Sequence, residues 1–125
     1  MTEEFLPILY LKAGCPHCFK LRLFLVEVGL IGGFQVREWV PGDDNEAPIK
    51  QELAPHFEKV TFPTVQLAPG KFRNESDTLV KHYADGVGID PQSLPLYRDW
   101  TQRHFPRLKQ FQAEVKTLKA QLGIE

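Results

Sequence analysis

The chain has no apolar run approaching the roughly 20 residues of a membrane-spanning helix, and no surplus of either charge. Its 15 basic side chains face 16 acidic ones, a formal net charge of −1. The first absence removes the signature of a membrane protein. The second removes the basic balance that nucleic acid or an anionic lipid face attracts. The start, Met1-Thr2-Glu3-Glu4, is acidic and is followed by too short an apolar stretch for a signal peptide. Internal repeats and low-complexity segments are missing as well. The expected location is therefore cytoplasmic. Cysteine occurs only twice in 125 residues. In a reducing compartment so lone a pair serves catalysis or metal binding more often than it staples a fold. A hydrophobic content of 42% at this length is enough to bury one core.

What is present is concentrated at Cys15-Pro16-His17-Cys18. Ile8-Leu9-Tyr10-Leu11 before it is short, apolar and bounded by Pro7 and Gly14, a buried strand by pattern. Leu21, Phe24, Leu25 and Val28 after it recur at helical spacing, so a helix is expected from Pro16 to about Gly29. Proline suits the first helical position, where its missing N–H costs nothing. Cys15 then sits at the N-terminal end of the helix, where unpaired N–H groups and the helix dipole favour a thiolate. Cys18 lies one turn further in, within disulfide reach. The expected division is Cys15 as exposed nucleophile and Cys18 as buried resolving thiol. Pro16 and His17 are candidates for tuning the Cys15 pKa, since a partly protonated imidazole stabilises a neighbouring thiolate; His17 reads equally well as a solvated turn residue.

Further on, Phe34 to Val40 alternates apolar and polar residues between Gly32-Gly33 and Pro41-Gly42, a second strand. Asp43-Asp44-Asn45 is placed to cap a second helix with an Ile49, Leu53, Phe57 stripe. Thr64 to Leu67 reads as a third strand, joined through Pro69-Gly70 to a weak fourth at about Lys71 to Arg73. Ser76 is placed as N-cap of a helix carrying Leu79, Val80 and Tyr83 and ended by Gly86 and Gly88. The order is that of an α/β fold with a four-stranded mixed sheet and three helices in residues 1–90, followed by a helical extension in 91–125. That extension is expected as helices over Ser93 to His104 and Pro106 to Leu122. Leu108, Phe111, Val115, Leu118 and Leu122 are spaced 3,4,3,4, the seam of a helix that packs on another. The simpler expectation is docking onto the domain's own helices; a partner or homodimer interface is the alternative.

Lys12-Ala13-Gly14-Cys15-Pro16-His17-Cys18 resembles the KxxCPxC signature of dithiol glutaredoxins, and Thr61-Phe62-Pro63-Thr64 resembles their TVP segment. Glu75-Ser76-Asp77 is similar to the acidic-hydroxyl pair that opens the third helix in glutaredoxins and in the N-terminal domains of glutathione transferases. The resemblance implies a thioredoxin-like (βαβαββα) fold with Pro63 in the cis form facing Cys15. It implies glutathione as co-substrate, with no permanently bound cofactor and no metal. Backbone pairing at Phe62, the γ-glutamyl carboxylate at Ser76, its ammonium at Asp77 and the glycyl carboxylate near Lys12 or Lys59 would hold the tripeptide. The implied activity is reduction of protein disulfides or glutathionylated proteins. Alternatives are a thioredoxin-like or disulfide-oxidase activity without glutathione, a metal site built on the cysteines with His17, His56, His82 or His104, and a non-catalytic interaction protein.

Overall fold

Alternating apolar residues and glycine or proline turns resolve, in a computed structural model that describes residues 5–123, into four strands and five α-helices. In chain order these are β1 (Ile8–Lys12), α1 (Pro16–Glu27), β2 (Gln35–Trp39), α2 (Glu46–Leu53), β3 (Thr64–Ala68), β4 (Lys71–Asn74), α3 (Ser76–Val87), α4 (Pro95–Asp99) and α5 (Phe105–Leu122). The acidic start, Met1 to Glu4, lies outside the described residues. The strands form one mixed sheet in the order β2-β1-β3-β4. The β1–β2 pair is parallel and needs α1 as its crossover, whereas β3 pairs antiparallel with both β1 and β4. Among the described residues no helix is long and apolar enough to cross a membrane.

β1 reads as a continuous apolar run because it is covered on both faces. Leu9 and Leu11 join Val65 against α1, α3 and Tyr97 of α4. Tyr10, pointing the other way, packs with Trp39 and with Ile49 and Leu53 of α2. Phe24 is wholly buried and meets the Tyr97 ring edge-on, centroids 5.7 Å apart. Phe24→Ala is expected to cost about 3–5 kcal/mol of unfolding free energy, through lost burial plus the residual cavity. Urea denaturation measures it.

Several elements depart from expectation, each for a local reason. α2 stops at Leu53 because Pro55 cannot continue it, and the chain tightens into a 3₁₀ turn over Ala54–His56. Phe57 therefore lies beyond the helix, although it still packs on the same cluster. Of the acidic turn, Asp43 does the capping, its carboxylate accepting from the N–H groups of Asn45 (3.0 Å) and Glu46 (3.1 Å). Ser76 is not the cap of α3. The chain leaves β4 through Glu75 at φ 70°, which carries Ser76 into the first helical turn, where it is buried. Gly86 lies inside α3; Gly88, at φ 67°, ends it in the left-handed conformation that glycine adopts freely.

The C-terminal segment also differs. A 3₁₀ turn at Pro91–Ser93 precedes α4, and a π-helical turn at Trp100–His104 runs straight on into α5. Pro106 lacks the N–H that would reach back one α-turn, and the wider turn before it absorbs the missing bond. α4 is tied to the body by Glu27, whose carboxylate accepts from the N–H groups of Leu96 and Tyr97, both at 2.8 Å. α5 then leaves the body. Beyond Leu108 its apolar seam does not dock on the domain's own helices: Phe111, Val115, Leu118 and Leu122 are 46, 50, 56 and 72% exposed. The apolar faces of α1 and α3 are already taken by the sheet and by Tyr97.

Candidate active site

The cysteine pair owes its placement to the end of β1. Ala13 extends the strand pairing, donating its N–H to the Trp39 carbonyl at 2.9 Å, and Gly14 then turns the chain at φ 77°, a conformation that favours glycine. Cys15 follows in extended conformation as the residue capping α1, with Pro16 at the first helical position. Its carbonyl already accepts the helical bond from Phe19 at 2.9 Å. Both cysteines are free thiols; Cys15 is half-buried and Cys18 is buried. The Lys12 N–H donates to the Cys18 sulfur at 3.4 Å, tying the inner cysteine to the strand end.

The two sulfurs divide one proton unequally. The Cys18 S–H donates to the Cys15 sulfur, and this is the largest influence holding the Cys15 pKa down at about 5. Partial burial opposes it, while the N–H groups of Cys18 and His17 and the His17 charge assist. The same contact, together with burial, pushes the Cys18 thiol up and keeps it protonated. His17 thus acts on Cys15 chiefly through its backbone N–H. Its exposed ring packs edge-on against Phe105, centroids 5.2 Å apart.

A cleft of about 240 Å³ opens beside Cys15. It is lined by Pro16, Phe19 and Arg22 of α1, by Lys12 and Glu38 at the strand ends, and by Trp100 and Leu108 of the C-terminal segment. The Phe19 and Trp100 rings meet at a tilt of 58° with centroids 4.7 Å apart, and Arg22 pairs with Glu38 at 3.1 Å. On the neighbouring strand surface Glu52 pairs with Arg37.

The candidate residues for glutathione gather at the same end of the sheet, and of them only Lys12 lines this cleft. The Phe62-Pro63 peptide is cis. Since Tyr10 pairs antiparallel with Thr64, Pro63 and Phe62 enter β3 at the end of the sheet where β1 runs on toward Cys15. Phe62 packs on Trp39, centroids 5.2 Å apart, and Pro63 is buried. The Lys12 ammonium lies over the Trp39 ring, 5.5 Å from its centroid; Lys59 is exposed. Asp77, in the first turn of α3, is 86% exposed, and its carboxylate is engaged by the buried Lys20 of α1. The Lys20 ammonium also sits 5.0 Å above the Phe105 ring.

Phe19, Lys20, Arg22, Glu38, Trp100 and Leu108 are site residues that sequence reasoning missed. Lys20 carries a weak local signal, a charge on the apolar side of α1 between Cys18 and Leu21. Trp100 and Leu108 carry none, because more than 80 residues separate them from Cys15. The histidines are scattered: His56 stacks on Phe72, His82 lies beside Arg73 and His104 beside Asp99. Among the described residues no three histidine, cysteine or carboxylate side chains converge as a metal site. Comparison of the chain with known protein families, with curated proteins and with solved structures finds no match.

Proposed function

We propose that this chain is a dithiol thiol-disulfide oxidoreductase of glutaredoxin type on a thioredoxin-like fold, with glutathione as co-substrate. The observation that carries the reading is the placement of the pair: a half-buried Cys15 at the start of α1 beside a buried Cys18 one turn below, an arrangement that lowers the Cys15 pKa to about 5 and keeps it ionised at neutral pH. A thiolate, not a thiol, attacks a disulfide.

Cys15 attacks one sulfur of a glutathionylated protein. A new S–S bond forms to glutathione as the old one breaks, and the protein thiolate leaves to take a proton from solvent. The adduct is resolved in one of two ways. A second glutathione thiolate attacks it, releasing oxidised glutathione and the Cys15 thiolate. Alternatively Cys18 gives up its proton and closes the Cys15–Cys18 disulfide, releasing glutathione. In the first route glutathione supplies the two electrons; in the second the Cys15–Cys18 dithiol supplies them, and two further glutathione molecules then reduce the enzyme disulfide and leave as oxidised glutathione. In this reading Lys12, the backbone of Phe62 beside Pro63, Ser76 and Asp77 hold the tripeptide. The N-terminus of α3 is a suitable carboxylate site on physical grounds. Asp77 then shares its carboxylate between Lys20 and the ligand ammonium.

The low Cys15 pKa also favours a second reading, a protein-disulfide oxidant that does not use glutathione. Stabilising the reduced form makes the disulfide form a stronger oxidant. The test is recycling. Oxidised protein is incubated with glutathione and glutathione reductase, or with a thioredoxin-type reductase, and a glutathionylated peptide is supplied as substrate. Turnover with glutathione alone is the expected result. Turnover only with the thioredoxin-type reductase, or on protein disulfides only, replaces the first reading with the second.

A further inference from the structure

α5 presents Leu108, Phe111, Val115, Leu118 and Leu122 in alternating steps of three and four, and the body leaves the last four largely uncovered. We propose that this face pairs with the same face of a second copy of the chain, as a short parallel two-stranded coil. A two-fold axis along the helix sets each seam residue against its own counterpart, so one self-complementary contact covers the whole stripe. Leu108, Val115 and Leu122 fall at the first heptad position, Phe111 and Leu118 at the fourth. At the centre of the seam Val115 at the first position with Leu118 at the fourth suits two parallel strands.

The flanking charges select the same arrangement. Glu114 immediately precedes Val115, and Lys119 immediately follows Leu118. In a parallel in-register pair Glu114 of each copy faces Lys119 of the other, giving two ion pairs by symmetry. An antiparallel pair centred near Val115 sets Glu114 against Glu114. An antiparallel pair shifted to match Phe111 with Leu122 leaves Glu114 facing Gln121 and Lys119 facing Gln112, with no ion pair at all. Exposed pairs of this kind decide orientation more than affinity.

The seam begins at the candidate site, because Leu108 also lines the Cys15 cleft. A parallel pair therefore opens both clefts at the same end of the coil, each bordered by the first turn of the other copy's α5. Eighteen residues make a helix about 27 Å long. An interface of that length lies at the low end of the size range, so the association is reversible and depends on concentration.

Sedimentation over a concentration series of about 1 to 500 µM, spanning ordinary reversible affinities, is expected to show monomer passing to dimer. Val115→Glu is expected to raise the dissociation constant by tenfold or more, on the order of the cost of burying an unpaired charge. Glu114→Lys and Lys119→Glu should each weaken the dimer several-fold, and the double exchange should restore it. Orientation is read in a Cys15→Ser/Cys18→Ser background carrying Leu122→Cys, which in a parallel pair joins two copies by a disulfide when treated with diamide. A wild-type protein monomeric across the whole series overturns the proposal. So does a dimer indifferent to Val115→Glu, or one that fails to cross-link through position 122. Circular dichroism and, in variants retaining it, the alkylation rate of Cys15 confirm that the body remains folded.

Discussion

Cys15→Ser is expected to lower the rate of glutathionylated-peptide reduction on the order of a thousandfold or more, the loss that follows removal of a nucleophile that forms the covalent intermediate. A serine hydroxyl in the same place stays protonated and cannot displace a sulfur at neutral pH. Cys18→Ser should behave differently. The attack survives, and treatment with oxidised glutathione leaves a stable 1:1 adduct on Cys15, because the inner thiol that would expel it is gone. Mass spectrometry separates the outcomes: adduct in the Cys18 variant, an internal disulfide in the wild type, and neither in the Cys15 variant. Full activity in Cys15→Ser would sink the mechanism.

The second large effect lies in pH dependence. Iodoacetamide reacts with the thiolate, so the wild-type rate should be flat above about pH 6 and fall tenfold per unit below the Cys15 pKa of about 5. The Cys18 S–H contact is the largest cause of that low value. Cys18→Ala should therefore move the midpoint up toward the ordinary thiol range and cut the rate at pH 7 by about tenfold or more, since an ordinary thiol is only a few per cent ionised there. Cys18→Ser, which keeps a hydroxyl donor, should fall between the two. An unchanged midpoint in Cys18→Ala would remove the inner thiol from the explanation. Stability of the reduced protein follows from the same shifts. Between about pH 5 and the unfolded thiol value near 8.5, the unfolded chain holds a proton on Cys15 that the folded chain has released, so stability rises with pH across that window. Above it the raised Cys18 acts in the opposite sense, because the unfolded chain then loses a proton the folded one retains. Urea midpoints of wild type and Cys15→Ser, compared from pH 5 to 8, are expected to diverge as pH increases.

The thiol pair was legible because its cause is local. A strand, a glycine turn and a proline-started helix are written in consecutive residues, and they alone put Cys15 at a helix start and Cys18 one turn below. The α/β order, the β3–β4 hairpin and the core faces of α1 and α3 were legible for the same reason, since each follows from periodicity within one segment. Errors collected where a neighbour intervenes. Ser76 looked like a cap until the approach from β4 through Glu75 turned it into the first helical turn. Phe57 continued a stripe on paper, but Pro55 ends the helix before it.

Sequence by itself thus determined which cysteine sits at the start of α1 and which lies one turn below, which strands and helices form, and that α5 carries an apolar seam, because short-range sterics, hydrogen bonding and side-chain periodicity settle those matters within a turn or two. Only the tertiary structure decided that Trp100 and Leu108 wall the Cys15 cleft, that Asp77 is held by Lys20, and that the seam of α5 is left uncovered. Those are contacts between segments far apart in the chain. They depend on which apolar faces the rest of the fold has already consumed, a competition that no single stretch of residues records.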